Sequence, residues 1–240
     1  MNALEVILSA DRPVTLPMAY QQLIQGALYR LWGDTYPELH DEGYAAEGHA
    51  FRMFAFSALE GRYTPKGTSI TFSGALRLEV RSPVSALLES IQEGLTRERA
   101  LWLGEQRLAV VGLYERDCLL FPSRALIETR TPVTVHRTLP DGFRQYYAPE
   151  EEDFNVLLAE NLASKLQAAR LALDPAVAVT PIEGTLTKRV ARFRSTLVTG
   201  WKGRFLLEAE PETMAFLYYA GLGVGNSRGF GMFDILRPAG

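Results

Sequence analysis

A glycine-rich segment near the end of the chain carries the strongest chemical signal in the sequence. Residues 221–231 have glycine at positions 221, 223, 225, 229 and 231, with Asn226, Ser227 and Arg228 at the centre. Glycines let backbone N–H groups approach a phosphate closely, and the three polar side chains supply further donors. An oligonucleotide backbone would fit such a loop. A helix C-cap followed by a tight turn explains the same spacing, so both interpretations stay open.

A nucleotide cofactor fits this segment poorly. Asn226 and Arg228 stand where the last glycine of a G-x-G-x-x-G fingerprint is needed, and the Lys-Ser/Thr ending of a P-loop is missing. A helix is predicted before the glycines and a strand after them, whereas nucleotide-binding loops run from a strand into a helix. We therefore predict no cofactor.

A run of basic residues is the other feature that favours a polyanionic partner. The whole chain has a net charge of −3, which argues against nucleic acid, but the stretch between Gly184 and Glu208 contains no acid. Its basic residues are Lys188, Arg189, Arg192, Arg194, Lys202 and Arg204. They predict a ribbon that contacts phosphates, although charges alternating along a solvated strand give the same pattern.

Three side chains in the first half could act on a bound phosphate. Tyr29 lies opposite the apolar stripe of a helix predicted at 18–32, so it should be exposed, with Tyr20 in the core. His40 follows in a polar loop, and an imidazole with a pKa of about 6.5 exchanges protons at neutral pH. Arg52 can stabilise negative charge but hardly exchanges protons. A solvated loop histidine and an ordinary rim arginine are the alternative interpretations.

The two other histidines are weaker candidates. His49 comes immediately before a predicted strand and is the alternative to His40 as the proton carrier. His136 alternates with Val133 and Val135, which predicts a surface position on a strand.

The composition is that of an ordinary soluble chain, with 47% hydrophobic residues and a mean hydropathy of −0.03. The first ten residues lack the basic start of a signal peptide, so we expect a cytoplasmic protein with no membrane partner. The single cysteine, Cys118, has no partner for a disulfide or a thiolate metal site. The acids at 150–153 fit the first turn of a helix, so no metal site is predicted.

Apolar periodicity predicts an α+β chain of two tandem ferredoxin-like (RRM-like, βαββαβ) domains, 1–120 and 121–240. The first would have strands at 4–8, 51–57, 69–81 and 107–114 and helices at 18–32 and 83–94. The second would have strands at 127–137, 188–199, 203–210 and 230–236 and helices at 150–173 and 211–222.

The glycine-rich segment has the form G-x-G-x-G-N-S-x-G-F-G and closes a chain of this length and element order. In this it resembles the CRISPR-associated repeat-processing endoribonucleases of the Cas-six family, in the RAMP superfamily. Weaker landmarks follow in the family's order and span nearly the whole chain: Leu16-Pro17 before Tyr20, residues 25–29, His40, residues 51–57, and 123–135 ahead of 152–154.

The resemblance implies metal-independent cleavage of CRISPR repeat RNA, in which the 2′-hydroxyl attacks the scissile phosphate and leaves a 2′,3′-cyclic phosphate and a 5′-hydroxyl. It implies His40 as the main proton carrier, with Tyr29 and with Arg52, which stands where some members have lysine. The basic ribbon would bind the RNA together with Gly223, Gly225, Asn226, Ser227 and Arg228. A non-catalytic RNA-binding subunit of a CRISPR effector complex is the alternative function. Other Cas effector subunits and a second copy of the chain are the further partners expected.

Overall fold

The computed structural model describes residues 1–33, 44–46, 49–116, 120–193 and 196–239. The elements of the first half are β1 (Ala3–Ser9), β2 (Val14–Pro17), α1 (Gln21–Gly33), β3 (Tyr44–Ala46), β4 (His49–Phe51), β5 (Ala55–Phe56), β6 (Glu60–Lys66), β7 (Ser69–Arg81), α2 (Ser85–Glu98), β8 (Ala100–Leu103) and β9 (Gln106–Glu115). Those of the second half are β10 (Arg124–Thr129), β11 (His136–Thr138), β12 (Arg144–Tyr146), α3 (Glu152–Ala169), β13 (Val177–Pro181), β14 (Thr187–Phe193), β15 (Thr196–Lys202), β16 (Arg204–Ala209), α4 (Pro211–Ala220) and β17 (Phe233–Pro238). None of the described helices is long and apolar enough to cross a membrane.

The first half forms an antiparallel sheet in the order β8-β9-β1-β7. Strands β1 and β2 pair with different parts of the same edge of β7. Strands β5 and β6 pair with its opposite edge. Val6 and Leu8 of β1 are buried in one core with Leu28 of α1 and Ile91 of α2. Two helices that share a core with a sheet of this order give the predicted ferredoxin-like arrangement.

The second half repeats this plan in the order β13-β16-β10-β17. Ile127 and Leu207 of the sheet are buried in one core with Leu158 of α3 and Leu217 of α4. Two hairpins, β11–β12 and β14–β15, lie outside this sheet. The predicted α+β class and the tandem ferredoxin-like fold are both confirmed.

Two predicted strands of the second half are wrong in detail. The strand predicted at 127–137 ends at Thr129, because Pro132 cannot donate to a strand ladder and the chain leaves the sheet there. The segment predicted as a strand at 188–199 belongs to the hairpin of β14 and β15. Its expected place in the sheet is taken by β13, whose 5 residues are too few to stand out by periodicity.

A buried network of ion pairs joins the two sheets. Arg81 of β7 is 2% exposed, binds the carboxylate of Asp234 at 2.6 Å and donates to the carbonyl of Phe233 at 2.6 Å. In the opposite direction Arg130, just after β10, binds Glu79 and Glu60 of the first half. Burial raises the pKa of Glu79, but the two guanidinium groups outweigh it and the net pKa is lowered. The network therefore ties β7 to β17.

Three residues that precede β5 in the chain pack on the second half. Tyr44 and Phe51 pack against the core of the second sheet, and Met53 is buried within it. Residues that precede β5 in the chain thus belong to the packing of the other half. The limits 1–120 and 121–240 stay a prediction for the two domains.

Candidate functional site

A cleft of about 1120 Å³ is lined by both halves of the chain. Four segments line it: residues 50–54, the β11–β12 hairpin, one face of α3, and the glycine-rich segment. The first of these contains a predicted catalytic residue and the last contains predicted RNA contacts. The fold therefore brings together two motifs that lie some 170 residues apart in the sequence.

The described lining of this cleft is strongly basic. Its basic side chains are Arg52, His136, Arg137, Arg144, Lys165 and Arg228. Glu160 is the one acidic side chain in that described lining. Like charges around a cleft with low-dielectric walls reinforce one another and attract anions. A phosphate backbone is the ligand that this charge favours.

The glycine-rich segment is a loop held together by its own side chain and backbone contacts. Asn226 is 7% exposed, and its Nδ2 donates to the carbonyls of Leu222 and Phe230. Gly223 has a φ of +64°, and a Cβ there would collide with the carbonyl of Thr134. Gly223 and the Asn226 amide thus build the loop, and their direct contact with RNA stays a prediction. Gly225, Asn226, Ser227 and Arg228 line the cleft.

Lys165 is a residue of this site that the sequence analysis missed. It projects from α3 beneath the loop, is 3% exposed, and its Nζ donates to the carbonyls of Gly221 at 2.9 Å and Gly223 at 2.8 Å. Burial lowers the pKa of Lys165 to about 7. The available signal was a lysine on the apolar stripe of α3, between Leu162 and Leu166, where a solvated lysine would not stand.

The predicted basic ribbon is divided between two sheets. The basic residues of β14, namely Lys188, Arg189 and Arg192, are exposed. Arg204 instead begins β16 and pairs with Glu128 at 3.1 Å. Lys202 is half-buried at the end of β15, and burial is the largest cause that lowers its pKa. Arg194 lies outside the described residues. A surface suited to phosphates is therefore formed by β14 rather than by the whole run.

The end of this basic strand packs against the glycine-rich loop. Phe193 is buried with Phe230, and the Arg228 guanidinium carbon lies 5.4 Å from the centre of the Phe193 ring. Gln22 of α1 donates to the carbonyl of Arg192 at 3.5 Å. The basic surface of β14 consequently starts beside the arginine that lines the cleft.

Arg52 is the predicted catalytic residue that the structure places in the cleft, where its Nε and Nη1 are shielded from solvent. Tyr29 is half-buried rather than exposed. Its ring packs on those of Trp32 and Phe54, at centroid distances of 5.7 and 5.9 Å, and Gln25 donates to its hydroxyl at 3.4 Å. Helical periodicity cannot predict that Phe54, from a different segment of the chain, packs on the ring of Tyr29. Phe54 itself lines the cleft, whereas Tyr29 is not part of the described lining.

The histidines fall in different places. His40 lies outside the described residues, and so does the side chain of His49, which begins β4. His136 belongs to β11 and lines the cleft. Val133 and Val135 are buried, but Thr134, which the predicted alternation places on the face of His136, is buried as well. The His136 ring lies 5.3 Å from that of Tyr146.

The family model described as CRISPR associated protein Cas6, C-terminal, matches residues 116–235, half of the chain. The chain belongs to the Cas6 family. The matched part includes α3, both hairpins and the glycine-rich loop, which form most of the cleft. None of the curated proteins matches the sequence.

Solved structures of Cas6 and RAMP proteins share the fold along the whole chain. The product of a Cas6-related gene from Pyrococcus furiosus matches with a TM-score of 0.85 at 16% identity, over 98% of each chain. An RAMP protein described as binding different RNA substrates gives 0.84 at 16% identity, over 99% of this chain and 100% of that one. A CRISPR associated protein Cas6 gives 0.78 at 20% identity, over 98% and 99%. These likenesses establish the tandem fold of this Cas6-family chain.

Proposed function

We propose that this Cas6-family chain is an endoribonuclease that cleaves CRISPR repeat transcripts into guide RNAs without a metal ion. The observation that carries the proposal is the basic cleft, which brings Arg52 together with Arg228 and the glycine-rich loop. A phosphate backbone suits the charge of this cleft. Membership of the Cas6 family supports the repeat transcript as the RNA.

The proposed reaction is an internal transesterification. The 2′-oxygen forms a bond to the scissile phosphorus, the bond from phosphorus to the 5′-oxygen breaks, and a 2′,3′-cyclic phosphate and a 5′-hydroxyl remain. One proton must leave the 2′-hydroxyl and one must reach the 5′-oxygen, while negative charge builds on the phosphorane. Arg52 keeps its charge and is suited to stabilise the phosphorane. His40 would carry a proton, and Tyr29 stays a predicted member of the catalytic set.

The RNA would lie across both halves of the chain. Inside the cleft, Arg137 and Arg144 of the β11–β12 hairpin would contact its phosphates together with Arg228. Beyond the cleft, the exposed side chains of β14 extend the basic surface past Phe193. Other Cas effector subunits and a second copy of the chain stay predicted partners, and the cytoplasm stays the predicted location.

The test is cleavage of a labelled CRISPR repeat RNA in excess EDTA. Wild type is compared with Arg52→Ala and His40→Ala, and Arg97→Ala is the control because this exposed arginine of α2 lies outside the cleft lining. Wild type and the control should leave cyclic phosphate ends, and a 2′-deoxy scissile nucleotide should block cutting. Arg52→Ala should slow cleavage by about 10²–10³-fold, the effect typical of one lost oxyanion donor.

Two other outcomes would change the proposal. Tight binding of repeat RNA by the wild type without cutting would favour the non-catalytic RNA-binding subunit. Cutting that survives His40→Ala would keep the reaction and point to His49 as the proton carrier.

A further inference from the structure

The proposed reaction needs two proton transfers, whereas the predicted catalytic set contains one histidine. Arg52 cannot supply the second, because a guanidinium keeps its proton at neutral pH. The hydroxyl of Tyr29 accepts a hydrogen bond from Gln25, and its ring packs on that of Phe54, outside the described cleft lining. In that described lining, the groups able to exchange a proton near neutral pH are His136 and Lys165.

Lys165 is occupied with the glycine-rich loop. Its amino group lies beneath the loop and donates to the carbonyls of Gly221 and Gly223. With 3% of the residue exposed, it has no room to reach a phosphate in the cleft without giving up those bonds. This leaves His136.

The His136 imidazole is held in place from the side of its own hairpin. The rings of His136 and Tyr146 lie 5.3 Å apart at an angle of 35°. Tyr146 is itself fixed, because its hydroxyl donates to the carbonyl of Leu197 at 3.3 Å and its ring packs against the cluster that contains Phe193 and Phe230. The Nδ1 atom of His136 is shielded from solvent. Packing on Tyr146 therefore fixes the orientation of the His136 ring at the wall of the cleft.

We propose that His136 is the general base of this site and takes the proton of the 2′-hydroxyl as the bond from the 2′-oxygen to phosphorus forms. The inference rests on the proposed function and adds a residue to it. His40 then gives a proton to the 5′-oxygen as the bond from that oxygen to phosphorus breaks. One histidine gains the proton that the other loses, and solvent restores both before the next cycle.

The charges around the cleft favour this assignment. The charged groups that share the described lining with His136 are Arg52 from residues 50–54, Arg137 and Arg144 from its own hairpin, Glu160 and Lys165 from α3, and Arg228 from the glycine-rich loop. The arginines of this set would hold the scissile phosphate against the cleft wall that carries His136. A neutral imidazole there accepts the proton of the 2′-hydroxyl.

The experiment is single-turnover cleavage at saturating protein with two versions of the repeat RNA. One has the natural oxygen at the scissile 5′ position and the other has sulfur there. Sulfur departs without being protonated, so it restores activity to a variant that lacks its general acid and not to one that lacks its base. Wild type, His40→Ala, His136→Gln and His136→Asn are compared. Gln145→Ala is the control, because Gln145 is exposed on the same hairpin outside the cleft lining.

Both His136 variants should cut the oxygen substrate about 10²–10⁴-fold more slowly than wild type, with unchanged RNA affinity and unfolding midpoint. The sulfur substrate should restore His40→Ala and leave the His136 variants slow. Equal rates for His136→Gln and Gln145→Ala would overturn the assignment and leave the proposed function intact. Restoration of the His136 variants by sulfur, or a loss of affinity alone, would also overturn it. If wild type cuts neither RNA, the proposed function fails and this inference fails with it.

Discussion

Lys165 should make the stability of the fold rise with pH in the neutral to alkaline range. Its pKa falls from 10.5 to about 7 in the folded chain, because the amino group is buried beneath the glycine-rich loop. Between these two pH values the unfolded state binds one proton more than the folded state, so raising the pH stabilises the fold. At about 1.4 kcal/mol for each pH unit, the gain is at most about 5 kcal/mol. Hydrogen bonds to the carbonyls of Gly221 and Gly223 favour the charged amine and therefore reduce this gain in stability.

The substitution Lys165→Met separates the charge from the hydrogen bonds. At pH 9 the wild-type amine is neutral but still donates to both carbonyls, so the variant should be less stable by about 1–3 kcal/mol, the cost of buried acceptors left without donors. At pH 6 the wild type buries a full charge and the variant does not. The difference between the two proteins should therefore shrink or change sign as the pH falls from 10 to 7, and level off below 7.

The assay is urea unfolding of both proteins at a series of pH values from 6 to 10, followed by circular dichroism. Lys66→Met, which removes an exposed lysine of β6, controls for the loss of a lysine as such and should follow the wild type. If the free energy of unfolding of Lys165→Met depends on pH as strongly as that of the wild type, the linkage assigned to Lys165 is refuted.

Three further changes test other parts of the structure. Glu79→Gln should lower the free energy of unfolding by at most about 3–5 kcal/mol in urea titrations, because Arg81 and Arg130 both lose a carboxylate while Arg81 keeps that of Asp234. Since the pKa of Glu79 is lowered, the wild type should also lose stability as the pH falls below about 4, a loss that the Gln variant lacks. Gly223→Ala should shift the thermal midpoint downward by several degrees, because φ of +64° and the nearby Thr134 carbonyl both oppose a Cβ. Arg192→Glu should weaken repeat RNA binding and lower the slope of log affinity against log salt by about one or more, measured by filter binding.

The fold was predictable because its signals are local. The apolar stripe of α1 and the alternation in β7 each extend over about a dozen residues. This length is enough to distinguish the helical period of about 3.6 residues from the strand period of about 2. Short or fully exposed strands carry no such signal. All the described side chains of β6 are exposed, and it is defined by its pairing with β7 rather than by its own pattern.

The site was only partly predictable, because it depends on contacts between distant segments. Arg52 and Arg228 are recognisable singly, but their common cleft exists because Tyr44, Phe51 and Met53 pack on the core of the second half. Arg137 and Arg144 reach the cleft through the β11–β12 hairpin. Most of β11 falls within the strand predicted at 127–137, and no strand is predicted at 144–146. His136 was predicted to point away from the buried Val133 and Val135, but the cleft that it lines is formed by contacts with distant segments.

The glycine-rich loop depends on both halves of the chain for its position. Lys165 holds it from its own half, and Gly229, with a φ of +86°, leaves room for the ring of Phe56 from the first half, where a Cβ would lie 3.0 Å away. Its distance from Arg52 is therefore set by how the halves pack, which the Arg81–Asp234 pair fixes outside the described cleft lining. An error of about 1 Å in placing catalytic groups can cost about a hundredfold in rate. Weakening the ion network should consequently slow cleavage in a protein that still folds. Catalysis is more sensitive than folding to small changes in the relative placement of the two sheets.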